Sequence, residues 1–580
     1  MAFIRFGEFE LDEQTLELRK NGSPARIQQQ PARVLAFLLN HRGSLVTREQ
    51  IRLAIWGDDT FVDFEQGLNF SIRQIRLALG DQAEHPAYIE TLPRLGYRFV
   101  AKIEKDGEGA PAQEKKRLRI GIVPIEDLSG HSEDYFAAGL TEDMISALSR
   151  IEPARLRVTA LSKLKSGDAA AEQLSQLQRQ FDLDYVLRGS ARRSADKVRI
   201  SAQLHDVRDK SVLWSDAYDR KSADLLAVQE EVTERVSQSL ALELFPSATV
   251  GSRRYSRSSA AYDAYLKGRF FWHKMTPDTI RRSMEYFKEA LLLDAGFAPA
   301  LAGLADCYAQ MGSIRVGLMK PLDALVQARA NLQRAFELDE TLAEAHCTHG
   351  LIKSWYDLDW NGAEREFHAA LALDPSQITA LLWQSLLFSA TGRHSEAIAS
   401  VLRAREIEPL STNANLYLAV AHAHAGQHDL AIRQFQQAIE LDPNFYRTYM
   451  FMGRSLSYLE RHEEAVTALQ KANALAPGHT ESLAFLASAL AGKGDREGAL
   501  RLLKAVLDAE SQSEPAILVA MVYARLGMVN EMFERLERAV RLKSTPVYVG
   551  IICHEFHPYR MDERYHRFLV EIGLSNLARG

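Results

Sequence analysis

The sequence predicts a multidomain chain of three parts: an α+β unit, then a small α/β domain, then an all-α superhelix of paired helices. Three observations predict it. Within the first hundred residues, alternating apolar and polar stretches give way to helical periodicity and then alternate again. A charged run containing Gly and Pro, KDGEGAPAQEKKR at 105–117, lacks periodicity and separates that unit from a second mixed segment. From about residue 258 the periodicity is helical, and Pro375, Pro409, Pro443 and Pro477 stand 34 residues apart.

Composition sets outer bounds. The chain has 580 residues, enough for several cores, with 46% apolar and 25% charged residues. A net charge of −6 argues against a protein that coats nucleic acid indiscriminately. Cys307, Cys347 and Cys553 are far apart, which excludes a disulfide framework or a CxxC zinc cluster and fits a reducing compartment. The start, MAFIRFGEFELDEQ, has acids where a signal peptide needs an apolar run, and no uncharged stretch reaches membrane-spanning length. The expectation is a cytoplasmic protein without a membrane span.

In residues 1–104, IRFGEFELDEQTLELRKNGSPARI alternates and carries an Asn21-Gly22 hairpin turn. Pro31 opens a helical run that Gly43 stops, and Thr47 is the expected N-cap of REQIRLAIW, with Gln50 completing a capping box. A third helix and a hairpin, YIETLPRLGYRFVAKI, follow. Residues 105–117 are a linker. In 118–245, LRIGIVPI and LRVTAL read as strands on either side of a helix over 135–150, with Thr141 as its expected N-cap ahead of Glu142 and Asp143. DYVLRGSARR, KVRISAQLHDV and SVLWSDAYDR read as a three-strand meander. Residues 246–257, rich in Ser and Arg, form a second linker.

Residues 258–545 repeat. FHAALALDP, VLRAREIEP, FQQAIELDP and LQKANALAP end at the four prolines, and Ala363, Ala397, Ala431 and Ala465 lie twelve residues before them. Small residues where two helices cross, with Pro where the second stops, form the tetratricopeptide pattern, whose pairs must stack to bury their apolar faces. Two earlier units are looser, an insertion SIRVGLMKPLDA lies between them, and the unit around Trp355–Trp360 is one residue longer than the rest. Residues 546–580 form a helical cap.

The order strands, three helices, hairpin resembles the winged helix-turn-helix of OmpR/PhoB-type response-regulator output domains. Leu68-Asn69-Phe70-Ser71-Ile72-Arg73-Gln74-Ile75-Arg76 sits where that family has its recognition helix, and Gly96-Tyr97-Arg98-Phe99 resembles its wing. The resemblance implies double-stranded DNA as partner and a DNA-contacting set of Asn69, Ser71, Arg73, Gln74, Arg76, Thr91, Arg94 and Arg98. Helical spacing puts Asn69, Arg73 and Arg76 on one stripe, with Ser71 and Gln74 further round, away from the core. Arg offers guanine a bidentate fork, and Asn or Gln can address adenine. Pro93 stands where relatives often carry the wing arginine, with Arg94 one position later. Tyr97 is expected to pack. The segment Trp56–Gly67 resembles the loop that in the family can touch RNA polymerase. Residues 1–105 hold 14 Lys/Arg and 14 Asp/Glu, five of the cations lying in 73–102, so the basic charge is local.

No receiver domain is expected ahead of this unit, an arrangement similar to one-component regulators of the CadC and HilA kind. The middle region resembles the amino-terminal domain of TolB at Ile120-Gly121-Ile122-Val123-Pro124 and Asp184–Ser190. The resemblances imply a sequence-specific transcription regulator that oligomerises on DNA, with a protein or peptide partner, or self-association, in the repeat groove. The alternative is an interaction scaffold whose winged helix binds protein. No catalytic, cofactor or metal site is expected. The pairs His346/His349, His422/His424 and His554/His557 lack a matching acid-plus-Cys set, and no phosphate-cradling G-x-x-x-x-G-K run occurs.

Overall fold

The computed structural model describes residues 3–12, 16–20, 23–25, 27–40, 46–55, 64–81, 86–92, 96–101, 103–105, 117–129, 135–151, 153, 155–161, 179–193, 197–221, 232–237, 258–508, 514–544 and 554–575. The chain divides into two compact units, Met1–Lys116 and Arg117–Gly580.

In the first unit the order is β1 (Phe3–Phe6), β2 (Phe9–Asp12), β3 (Leu18–Lys20), β4 (Ser23–Ala25), α1 (Gln29–Asn40), β5 (Val46–Thr47), α2 (Arg48–Ile55), α3 (Phe64–Leu79), β6 (Ile89–Leu92), β7 (Gly96–Phe99) and β8 (Ile103–Lys105). One sheet runs β4-β3-β2-β1-β8 and the other β5-β7-β6. The β3–β4 hairpin forms with Lys20 opposite Ser23; its Asn21-Gly22 turn and Gly43 lie outside the described residues. The capping box forms as expected: Thr47 N donates to Gln50 Oε1 at 2.8 Å, and Gln50 N donates to Thr47 Oγ1 at 3.2 Å. The core gathers Phe6, Leu11, Leu35, Leu38, Ile51, Leu68, Ile72, Ile75, Tyr97 and Phe99. Gly96 matters through close approach: a Cβ there would stand 2.0 Å from the Val46 carbonyl oxygen. Only a glycine lets β7 lie this close to β5.

The second unit opens with β9 (Leu118–Ile122), β10 (Glu126–Asp127), α4 (Tyr135–Ile151), β11 (Leu156–Ala160), β12 (Tyr185–Arg193), β13 (Lys197–Asp206) and β14 (Val212–Lys221). The sheet order is β11-β9-β12-β13-β14, with β10 on β12. β9 pairs in parallel with β11 and β12, while β12, β13 and β14 form the expected antiparallel meander. Thr141 lies within α4 rather than at its start. Its hydroxyl donates to Ala137 O at 2.7 Å and accepts from Ile125 N at 3.0 Å, so the expected N-cap is corrected to a helix-to-loop tie.

Helix pairs follow, among them Ser259–Trp272 with Pro277–Leu293, Thr412–His424 with His428–Leu441, and Tyr446–Tyr458 with His462–Leu475. Ala363, Ala397, Ala431 and Ala465 are all fully buried, as crossing residues must be. The long unit near Trp355 is explained locally. Lys353–Asp357 forms one π-helical turn, closed by Leu358 in the left-handed region at φ 56°. A π turn is how a helix absorbs one inserted residue without losing register.

The α/β domain and the first repeats share one hydrophobic core, in which Leu140, Met144 and Leu187 join Tyr262, Leu266, Phe287 and Phe297. Polar ties add to it. Glu142 pairs with Arg269 at 2.6 Å and His273 at 3.1 Å, and the Tyr262 hydroxyl donates to Asp143 at 2.8 Å. Further along, Ser146 donates to Asp374 at 3.0 Å and Arg157 pairs with Glu406 at 3.3 Å. The residues read as a linker, 246–257, lie outside the described set, but what flanks them is a single body.

The insertion after Met311 runs inward. Ile314 and Val316 are buried, and Arg315 Nη1 donates to the Tyr417 hydroxyl at 2.8 Å. The Arg315 guanidinium lies 4.9 Å from the Trp355 ring centroid, and its carbonyl is 3.0 Å from His479 Nε2. Burial alone would raise the Tyr417 phenol; Arg315 and Arg447 outweigh it and bring it down to about 8.

Candidate nucleic-acid interface

Helix α3 buries Leu68, Ile72, Ile75 and Leu79 against the core of the first unit. Its other side, beside the β6–β7 wing, carries the residues that the sequence nominated, and the structure sorts them into three groups.

The first group faces solvent. Arg73 is exposed, and Asn69 is exposed with its Oδ1 accepting from the Tyr97 hydroxyl at 3.2 Å and from Arg48 Nη1 at 3.4 Å. Gln74 is half-buried. The second group is tied to the wing. Arg76 Nη2 donates to Ile89 O and to Thr91 Oγ1, both at 2.9 Å, and Arg76 Nε stands 4.0 Å from Asp81. The Asp81 carboxylate is itself fully buried and accepts from the backbone N–H groups of Ala87 and Ile89 at 2.7 and 2.9 Å. Helix, wing and the chain entering the wing are thus locked by Arg76 and Asp81. Arg98 pairs across the wing with Glu90 at 3.2 Å, both about 37% exposed, a surface pair weak enough to be exchanged for a phosphate.

The third group is excluded. Ser71 is fully buried, and its hydroxyl donates to Gly67 O at 2.8 Å. The expectation that it faces away from the core is corrected: a serine bonded to the carbonyl four residues back has satisfied its own oxygen and can be buried in a helix. Arg94 and Trp56–Asp63 lie outside the described residues, as do the side chains of 64–66.

Tyr97 packs as expected, 3% exposed, while Arg48 Nη2 donates to its hydroxyl at 3.1 Å. Sequence reasoning passed over Arg48, on α2, which lines the open groove between α3 and the wing with Asn69, Arg73, Arg76, Leu77 and Thr91. It also passed over Phe70 and Leu77, 49% and 67% exposed. The available signal was helical spacing: both lie on the Arg73 face and off the stripe of Leu68, Ile72, Ile75 and Leu79.

Residues 22–99 match the family described as transcriptional regulatory protein, C terminal. Residues 120–235 match the HilA/YgeH-like transcriptional regulator, second domain, and 355–409, 413–445 and 458–526 match tetratricopeptide repeats. The chain joins an OmpR/PhoB-type regulator domain and a HilA-like second domain to tetratricopeptide repeats. The middle segment, expected to resemble TolB, thus matches a regulator's second domain. Among curated proteins, this chain is 31% identical over 249 residues to a putative adenylate cyclase 3 of Rhizobium meliloti, covering 42% of each chain. It is 32% identical over 101 residues to the phosphate regulon regulatory protein PhoB of Pseudomonas aeruginosa, covering 17% of this chain and 43% of that one. The chain thus spans under half the length of these relatives. Among solved structures, MamA is 26% identical with a TM-score of 0.23, covering 30% of this chain and 93% of that one. PilF of Pseudomonas aeruginosa is 18% identical with a TM-score of 0.28, covering 38% and 99%. No helix among the described residues is long and apolar enough to cross a membrane.

Proposed function

We propose that this protein is a transcription regulator that binds specific duplex DNA through the outer face of α3, with the repeat array as its partner-binding or self-associating arm. The observation that supports the reading most is the exposed Arg73 on a helix that Arg76 and Asp81 brace against the wing, in a segment matching the family of transcriptional regulatory protein C termini. A helix presented this way can enter a major groove, where an arginine fork addresses guanine. Arg98 in the wing reaches a phosphate or the adjoining minor groove. The segment 56–67 is the proposed RNA polymerase contact. With the charge of residues 1–105 balanced, non-specific affinity is weak, and binding proceeds as tandem protomers on half-sites about 10 bp apart.

The test is selection of duplexes from a random pool by the full chain, followed by footprinting. Arg73→Ala is expected to lose about 1–3 kcal/mol of specific binding while the chain stays folded. A full chain that enriches no sequence, or an Arg73→Ala variant that binds the selected duplex as well as wild type does, overturns the reading.

A further inference from the structure

The outer face of α3 is less charged than its sequence suggests. Arg76 is engaged with Ile89 O and Thr91 Oγ1 on the wing, and the Asn69 carbonyl accepts from Arg48 and Tyr97. Beside them on the helix surface stands a stripe of Phe70, Arg73 and Leu77, spaced three and four residues apart on one face. Phe70 is 49% exposed and Leu77 is 67% exposed. A single exposed apolar side chain is ordinary on any surface. Two that flank the one outward cation of a recognition helix are a different observation, because the major groove offers one apolar group for them to meet: the C5 methyl of thymine.

We propose that Phe70 and Leu77 read thymine methyl groups on either side of the base pair addressed by Arg73. This rests on the DNA-binding reading above and names the base chemistry of that same site. Along a helix rising about 1.5 Å per residue the two side chains are roughly 10 Å apart, about three base-pair steps. The operator half-site therefore carries two thymines about three steps apart with a guanine contact between them. The apolar side chains recognise by shape and desolvation, and the arginine by its hydrogen bonds. Polar side chains at both positions would leave A·T pairs to be told apart by hydrogen bonding alone.

The experiment uses the full chain and a duplex selected from a random pool, with each thymine of the half-site replaced singly by deoxyuridine. Pairing is kept and only the methyl is removed. Wild type is expected to lose about fourfold in affinity at each of two thymines, the equivalent of roughly 0.8 kcal/mol for one buried carbon. Phe70→Ala is expected to bind the thymine and uracil duplexes equally at one of those positions, and Leu77→Ala at the other. Arg73→Ala binds weakly overall but keeps the thymine preference, and Phe70→Leu keeps it too. Both apolar residues are exposed, so the alanine variants should fold, and thermal unfolding checks this. A wild type that binds its selected duplex but is indifferent to every thymine methyl overturns this inference and leaves the DNA-binding reading standing. A wild type that selects no duplex overturns the latter. Alanine variants that lose association between copies of the chain, with the thymine preference unchanged, assign the stripe to protein contact and also overturn the inference.

Discussion

Arg73 and Arg76 are three residues apart, and by helical spacing alone they are equivalent. Only the wing distinguishes them. Arg76 bonds two wing oxygens, so its loss strands the buried Ile89 region without a donor, whereas Arg73 has open surroundings. Arg76→Ala is accordingly expected to destabilise the first unit by about 1–3 kcal/mol, and Arg73→Ala to leave stability within about 0.5 kcal/mol. Denaturant unfolding of the full chain, followed by hydrogen exchange at β6, reads both. Equal stability losses would place the two arginines in the same role. The sequence identified the helix and nominated several of its outward residues. It could not separate the exposed arginine from the one bonded to the wing, because that depends on a strand thirteen to fifteen residues further on. Ser71 escaped for a related reason: a hydroxyl satisfied on its own helix leaves no mark in a pattern of polar and apolar letters.

At the scale of elements, legibility follows locality. The capping box, the β12–β13–β14 meander and the 34-residue period rest on neighbours in sequence, and each forms. The pairing of β8 with β1 spans the whole first unit and had no local signature. Gly96 is the element-level weak point of the wing, since a methyl there meets the Val46 carbonyl. Gly96→Ala is expected to cost at least about 1–3 kcal/mol by overpacking, seen as faster hydrogen exchange at β6 and β7; unchanged exchange would mean that β5 and β7 can part cheaply. In the repeats, Ala431 is fully buried at a helix crossing and Leu402 is 37% exposed. Ala431→Leu should lower stability by about 1–3 kcal/mol and Leu402→Ala by less than about 0.5 kcal/mol, a contrast that calorimetry can measure.

At the scale of the whole molecule, the repeats carry a histidine ladder that single motifs do not reveal. His394, His428 and His462 are one 34-residue step apart, each the first residue of a second repeat helix. His428 stacks on Tyr458 at 3.8 Å, and His554 of the cap meets the same ring at 5.1 Å. Burial lowers all of these histidines together with His424 and His557: His424 to about 3 and His428 to about 4. Arg454 and Arg525 add to the lowering, while Asp429, Glu460 and Glu555 oppose it. Below the ordinary histidine value of 6.5 the unfolded chain therefore takes up protons that the folded array refuses. The contribution of these histidines to stability is full above about pH 6.5 and falls from there towards pH 4. The thermal midpoint should drop from pH 7 to pH 5, and less so in His428→Leu; parallel profiles for the two proteins would remove His428 from the effect.

The common core of the α/β domain and the first repeats has a practical corollary for anyone dissecting this protein. Scissors placed at 246–257, where the letters suggest a joint, would leave raw greasy stumps on both fragments, with Leu140 and Met144 on one and Tyr262 and Phe287 on the other. Such truncations should precipitate or unfold when expressed separately, whereas a cut just ahead of Arg117 should yield two well-behaved pieces.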